Sequence, residues 1–330
     1  MTGADSRKIV SLGGGHGLYA TLTAMRYLSS EVTAVVTVAD DGGSSGRIRA
    51  ELGAIPPGDL RMALTALVSA PAALAELDEE QSSRVTTWAQ TLQHRFSGHG
   101  ALAGHPVGNL LLAGLADVLG DPIAALDELL RLFGAEGRVL PMARVPLMIE
   151  ADVSGLESDP RMSRVIQGQV AVATTPGKVR RVRLLPAEPP ACADALTAIA
   201  DADIITLGPG SWFSSVIPHV LVPEQVNALT RSKARRMLIV NLEPELGETT
   251  GFSLERHLHV LHAHADTLRI DDVIVDESSV PLGREREHVE RAAALFGAQL
   301  RIGDLAVSGA HVHDPRKVAR LVEGLAERPR

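Results

Sequence analysis

The sequence predicts an α/β protein: a Rossmann-like, mostly parallel sheet with helices on both faces and a smaller β-rich insertion. Three observations predict it. Lys8–Leu12 is a short apolar run that meets four glycines in five residues, Gly13-Gly14-Gly15-His16-Gly17. A helical pattern then runs from about Gly17 to Leu28, and the next apolar run, Val32–Asp40, is rich in β-branched residues. Nearly continuous apolar runs suit strands covered on both faces of a parallel sheet, and strand, glycine turn, helix, strand is a βαβ unit. The alternation then returns late in the chain. Ala202–Leu207 ends in Gly208-Pro209-Gly210-Ser211, Met237–Asn241 follows, and Asp272–Val275 is the last strand expected. Helices are expected between them over Glu224–Arg235 and Leu254–Ala265.

The middle of the chain breaks this alternation. Residues 139–185 are strand-like and punctuated by Pro and Gly. GQVAVATTPGKVRRVRLLP reads as two strands around a turn at Pro176-Gly177. Arg181 and Arg183 alternate with Val182 and Leu184, as on a strand with one solvated face. The expected organisation is a nucleotide-binding core of residues 1–138 and 190–330 with an insertion at 139–189. Residues 70–95 are Ala-, Leu- and Glu-rich and read as helical, and the C-terminal RKVARLVEGLAERPR reads as a short terminal helix.

With 330 residues, 45% of them hydrophobic, the chain has ample material for a core. The net charge of -8 weighs against nonspecific nucleic-acid binding. The single cysteine, Cys192, excludes an internal disulfide and fits a reducing compartment. No apolar run reaches the roughly 18 residues of a spanning helix, and MTGADSRKIV has no apolar leader core. A cytoplasmic protein without membrane insertion is expected.

Gly15-His16-Gly17-Leu18-Tyr19-Ala20 fits G-x-G-x-x-A, a form of the dinucleotide fingerprint. Its glycines let backbone amides approach an anion at a helix N-terminus. A tight strand–helix corner would use glycines as well. Asp40 lies 25 residues after Gly15, where a nicotinamide enzyme places an acid for the ribose. The continuation Asp40-Asp41-Gly-Gly-Ser44-Ser-Gly-Arg47 reads instead as a second polar loop at a strand end, with donors for phosphate and carboxylates for ribose or hydrated Mg²⁺. In Pro56-Pro57-Gly58-Asp59-Leu60-Arg61, Asp59 reads as a helix N-cap. Arg61 stands near a helix start, where the macrodipole opposes a cation unless an anion is bound. Gly104-His105-Pro106-Val107-Gly108-Asn109 leads into another apolar helix, with Asn109 as a candidate cap and His105 either structural or ligand-facing. The histidines of HLHVLHAHAD (His257, His259, His262, His264) are spread around a helix whose core face is Leu254, Leu258 and Leu261, so no metal site is assigned to them.

These segments together resemble the gluconeogenesis factor (YvcK) family of the CofD-like superfamily. GGGHG, VADDGGSSGR, PPGDLR, GHPVGNLLLAGL and LGPGSWFSSVIPHVLVP carry the resemblance, in order, from about residue 8 to about 310. It implies a nucleotide site at the sheet edge that binds UDP-sugars, notably UDP-N-acetylglucosamine. It also implies a link to cell shape, wall synthesis and growth on gluconeogenic carbon sources, with no assigned reaction. The related branch, 2-phospho-lactate transferase, uses Mg²⁺ and is expected to carry P-D-x-D-T where this chain has PPGDLRMAL. The family's N-x-M-T-Q-P-G-E-T segment reads Asn241-Leu-Glu-Pro-Glu-Leu-Gly-Glu-Thr249 here. Carried over by position, the ligand-facing residues are Gly14, Gly15, Gly17, Asp40, Asp41, Ser44, Arg47, Asn109, Gly208, Gly210 and Ser211. No catalytic residue, metal ligand or firm cofactor is assigned. A Mg-dependent phospho-transferase and an NAD-dependent oxidoreductase are the alternatives. No protein partner is identified, and a homo-oligomer is left open.

Overall fold

The computed structural model describes residues 7–73, 77–159, 161–245, 248–280 and 283–328. The described strands are β1 (Ile9–Gly13), β2 (Val32–Val36), β3 (Arg138–Pro141), β4 (Met148–Ser154), β5 (Ser163–Gln167), β6 (Lys178–Leu185), β7 (Ile204–Leu207), β8 (Arg235–Ile239), β9 (Asp272–Asp276) and β10 (Gln299–Gly303). Seven of them form one sheet in the order β10-β9-β8-β7-β1-β2-β3, and every described pairing within it is parallel. The inner strands β1, β7 and β9 are buried along their whole length, as their Ile, Val and Leu content requires. The hydroxyls inside this apolar layer satisfy each other: Thr206 Oγ1 donates to Ser11 Oγ at 2.8 Å.

The first helices are α1 (Gly15–Met25), α2 (Gly43–Leu52), α3 (Gly58–Ala73), α4 (Glu79–Gln93), α5 (Val107–Leu119) and α6 (Pro122–Phe133). A short α7 (Gln169–Ala173) follows, then α8 (Ala193–Asp201), α9 (Pro223–Arg231), α10 (Leu254–His264), α11 (Arg284–Ala294) and α12 (Pro315–Ala326). From β1 the chain winds one way through β2 to β3. It later returns to β7 and winds the other way to β10. Right-handed crossovers therefore put α1 and α3 on one face and α8 to α11 on the other. Helix α12 comes back to pack on α1, which also packs on α3. The reversal of strand order falls between β1 and β7, and ligands of open α/β sheets bind at the carboxyl ends of strands at such a point.

The small sheet is antiparallel, in the order β5-β4-β6. Its buried face is Ile149, Ala151 and Val153 of β4 with Val179, Val182 and Leu184 of β6. On its other face Arg183 pairs with Glu150 and Asp152, so the alternation read in KVRRVRL holds. β3 pairs with β2, which places residues 139–141 in the large sheet.

Several expectations are corrected. The stretch GQVAVATTPGKVRR is not two strands. Gln169–Ala173 is helical, and the strand preceding it is β5. Gly168, at φ 100°, turns the chain out of β5, and the Asp41 carboxylate accepts hydrogen bonds from the Gln169 and Val170 amides at 3.0 and 3.1 Å. Those two devices override the β propensity of Val170 and Val172. The stretch after Asp41 is not a loop, because Gly43 already begins α2. The ladder of β2 stops at Val36, short of Asp40. The helix expected to reach Arg235 ends at Arg231, and Arg235 opens β8. Asp272–Val275 is not the last strand. β10 was missed because QLRIG lies at the sheet edge, partly exposed, and carries little apolar signal. The helical stretch around 70–95 is two helices, α3 and α4, and residues 74–76 lie outside those described.

Candidate functional site

The glycine turns after β1 and β7 straddle the switch point and touch. A Cβ on Gly17 would run into the carbonyl of Pro209 and lie 2.8 Å from the Gly210 Cα. Gly17 therefore lets α1 press against the Gly208–Gly210 turn. A Cβ on Gly14 would lie 2.6 Å from both Asp59 Oδ2 and Thr37 Cγ2, and Gly15 has φ 57°. The second turn is pinned by Asn241, which accepts from the Gly210 amide at 2.8 Å and donates to its carbonyl at 3.0 Å. Ser211 donates to Glu245 Oε2 at 2.7 Å. A π-turn over Trp212–Val216 and a 3-10 turn over Ile217–Val220 carry His219 under the first turn. There His219 Nε2 donates to the Gly13 carbonyl at 3.1 Å, and Nδ1 accepts from Gln225 Nε2 at 2.9 Å. Burial pushes the His219 pKa down to about 4, so the ring is neutral in this role.

A buried polar chain enters the site from the β2 side. Arg61 Nε donates to Asn109 Oδ1 at 2.8 Å, Asn109 Nδ2 donates to Ser44 Oγ at 3.0 Å, and Ser44 Oγ lies 2.7 Å from His105 Nδ1. Burial first, then Arg47, holds the His105 pKa below the usual histidine value. Arg61 is 4% exposed, and its Nη1 has no hydrogen-bond partner. Burial, with Arg95 nearby, lowers its pKa to about 10, while Asp59 and Asp40 oppose the shift. The guanidinium thus stays charged at neutral pH with one donor unused. A buried charged donor left unpaired is costly, and a phosphate oxygen is its natural complement.

Asp59 stands between this chain and the first turn. It is not the N-cap of α3. It lies inside the first turn of the helix with its carboxylate against Gly14 and the Gly15 amide. Burial and then Asp40 push its pKa up to about 7, against the pull of the Gly15 amide and Arg61. Ser45 accepts from the Gly58 amide at 3.1 Å, which fixes the start of α3 to α2. Asp40 and Asp59 are two neighbouring carboxylates, the number with which a protein commonly holds Mg²⁺ when ligand phosphates supply the remaining oxygens.

The other expected residues have different surroundings. Asp41 is spent on α7, as described above. Arg47 is on the exposed side of α2, donating to the carbonyls of Ala101 and Ala103 at 3.4 and 2.6 Å. Asn109 is not a cap, since Pro106 occupies that position. It bridges Arg61 and Ser44 instead. Glu248 is 6% exposed and makes no hydrogen bond of good geometry, although Ser214 and the Phe213 backbone lie close. Burial and Glu245 push its pKa up to about 8. Gly247 lies outside the described residues. The histidines of α10 are used separately: His257 Nδ1 bonds the Ser253 carbonyl, His264 Nε2 accepts from the Val182 amide, and His262 packs on Phe296. A cavity of about 290 Å³ behind Leu60 and Leu112 is mainly apolar and holds none of this polar chain.

The sequence selected Ser44 and Asn109 but left Arg61, Asp59, His105, Thr37 and His219 outside the site. Arg61 carries a legible signal, a cation set against the helix macrodipole; His105 reads as either structural or ligand-facing and Asp59 enters only the Mg²⁺-dependent transferase alternative, whereas Thr37 and His219 carry no signal.

Fold and site define a parallel α/β protein with a glycine-lined polar cleft at its switch point. A family model described as 2-phospho-L-lactate transferase CofD matches residues 9–303. The gluconeogenesis factor of Bacillus subtilis (strain 168) is 31% identical over 332 residues, covering 96% of this chain and 98% of that protein. A Mycobacterium tuberculosis (strain ATCC 25618 / H37Rv) protein, provisionally named gluconeogenesis factor, is 60% identical over 320 residues, 97% of this chain and 90% of its own. A crystal structure of a UPF0052 family member from Bacillus halodurans superposes with TM-score 0.82 at 31% identity, covering 97% of this chain and 100% of that one. The chain belongs to the gluconeogenesis factor (YvcK) family, within the CofD family.

Proposed function

We propose that the chain binds a nucleotide sugar of the UDP-N-acetylglucosamine type and acts as a regulator linking wall synthesis and cell shape to gluconeogenic carbon metabolism. The observation that carries the ligand half is Arg61, a buried guanidinium with a free Nη1 next to two glycine turns. Arg61 and the amides of Gly14 and Gly15 would take the diphosphate. Asp40 would face ribose hydroxyls or ordered water. Ser44 and Asn109 act through Arg61, and Gly208, Gly210 and Ser211 would close the other wall. Arg47, set on the outer side of α2, would meet a ligand only at the rim. The link to gluconeogenic carbon metabolism is supported by the names of the relatives, and the wall and cell-shape role is what the family resemblance implies. A ligand signals only if it binds two states differently, and the small sheet, clasped to the site by Asp41, is the element placed to respond.

The test is isothermal titration of the intact protein with UDP-N-acetylglucosamine beside UDP-glucose, NAD and GTP, with and without Mg²⁺. Saturable heat from the UDP-sugars supports the proposal. Heat from NAD alone, or no heat from any UDP-sugar, overturns it.

A second reading, a Mg²⁺-dependent phospho-transferase, is favoured by the Asp40–Asp59 pair and by the description of the matching family model. In that role the two carboxylates would hold the ion, which would neutralise charge on the transferring phosphate. Asp59→Asn would then abolish Mg²⁺-dependent turnover instead of changing affinity alone.

A further inference from the structure

At the β10 edge of the large sheet lies an open pocket of about 490 Å³. Four arginines wall it: Arg286 of α11, Arg301 of β10, Arg320 of α12, and Arg328 just beyond α12. Among the described residues no carboxylate lines it, in a protein whose net charge is -8. Arginine on an edge strand commonly serves to block edge pairing. That accounts for Arg301 but not for three more guanidiniums brought from other segments.

The cations are only partly neutralised. Asp272, fully buried, accepts from Arg301 Nε at 2.7 Å and also from Arg235 Nε at 2.7 Å, so one carboxylate faces two guanidiniums. Arg286 Nε donates to Glu290 at 3.0 Å, an exposed pair that solvent weakens. Arg320 and Arg328 make no ion pair among the described residues, although Glu323 and Glu327 share their stretch of chain. Arg301 is tied through Nε to a buried carboxylate, which fixes its guanidinium and leaves its two terminal nitrogens for another acceptor. A fork fixed in this way is preorganised for phosphate oxygens. Leu321 and Leu325 supply an apolar wall.

We propose that this pocket is a second anion site that takes a compact ligand carrying two or more phosphates, either a nucleotide tail or free inorganic polyphosphate. Its volume falls within the roughly 300–1,000 Å³ of small-ligand sites. A compact anion can be held by the four arginines within one pocket, whereas an extended polyanion would reach beyond them over a protein of net charge -8. The site is separate from the glycine turns. Four strand spacings of ~4.8 Å lie between β10 and β1, and Arg235 and Asp272 are the first residues of their strands, at the opposite end from the turns.

The experiment is isothermal titration of the intact protein with tripolyphosphate, ATP and an oligo-aspartate peptide at about 0.15 M salt without Mg²⁺. It is repeated on Arg320→Glu/Arg328→Glu, on the milder Arg320→Ala/Arg328→Ala, and on Arg61→Gln. Arg320 and Arg328 are exposed, so both double variants should fold. The expected result is saturable tripolyphosphate binding that the charge reversal weakens at least tenfold and the alanines less, and that persists in Arg61→Gln after any contribution from the glycine-turn site is removed. ATP binding tighter than tripolyphosphate identifies a nucleotide as the source, and equal or weaker ATP binding identifies the inorganic anion. No saturable binding, loss in Arg61→Gln with retention in the charge reversal, or tighter binding of the peptide would each overturn the proposal.

Discussion

Asp59 is the residue whose protonation the site controls most directly. Its pKa is raised from 3.8 to about 7, first by burial and then by Asp40. Between those values the folded chain holds a proton that the unfolded chain has released. This contribution to stability is therefore full at low pH and is lost as pH rises through 7. The same rise places a negative charge beside any bound phosphate. Affinity for UDP-N-acetylglucosamine without Mg²⁺ should fall from pH 6 to pH 8 by at least ~1 kcal/mol, the repulsion of two unit charges 4 Å apart even in bulk water. Asp59→Asn should bind more tightly at pH 8 and show a flat profile. Titration at three pH values checks this, and an unchanged slope in the variant would remove Asp59 from the anion's surroundings. Gly17 makes a steric prediction. Alanine favours helix over glycine by about 1 kcal/mol, yet its methyl has no room against Pro209. Gly17→Ala should cost ~1–3 kcal/mol in urea unfolding, the range for overpacking, and a stabilised variant would show that α1 is free to move off the turn. At this scale a residue is legible in the sequence where its job is local and illegible where its job is distant. The Gly-rich turns are legible because positive φ at a strand-to-helix corner is a local demand, while the close approach of Gly17 to Pro209 is a distant one. In sequence Asn109 and Asp59 read as caps because their real partners, Arg61 with Ser44 and the Gly14–Gly15 turn, are tens of residues away.

At the scale of elements, the clasp between Asp41 and α7 joins the small sheet to the site. Both amides at the start of α7 depend on one carboxylate, and His264 Nε2 accepts from the Val182 amide on β6 as a second tie. Asp41→Asn keeps one acceptor and turns an amide donor toward backbone N–H groups. Hydrogen exchange over Gln169–Ala173 should speed up markedly while the large-sheet strands keep their protection. Unaltered protection there would mean that Asp41 does not hold the insertion. Helix α7 was illegible for this reason: five residues containing two valines form a helix only because of a carboxylate far away in sequence. Arg47 illustrates the opposite failure. Reading 42–47 as a loop left it no face, whereas in α2 the residues Ser44, Ser45 and Ile48 turn inward and Arg47 stays exposed.

For the whole molecule, strand order decides where chemistry can occur. The reversal between β1 and β7 brings together segments from residues 13–17, 40–61, 105–109 and 208–219, and no window of sequence contains them all. The parallel sheet was legible from its apolar runs, because burial on both faces leaves that signature in composition. The edge strand β10 lacks it. Among the described residues no single helix is long and apolar enough to cross a membrane. The pair α5 and α6 passes such a test only together, across a 118° bend. The central claim is that a buried, half-used guanidinium receives the diphosphate of a nucleotide sugar. The most direct measurement is titration of UDP-N-acetylglucosamine into the protein and into Arg61→Gln, at equal pH and salt and with the fold of both checked by circular dichroism. The account predicts that the variant loses ~1.5–3 kcal/mol of binding, the range for a hydrogen bond to a charged group. Equal affinity in a folded Arg61→Gln would contradict it.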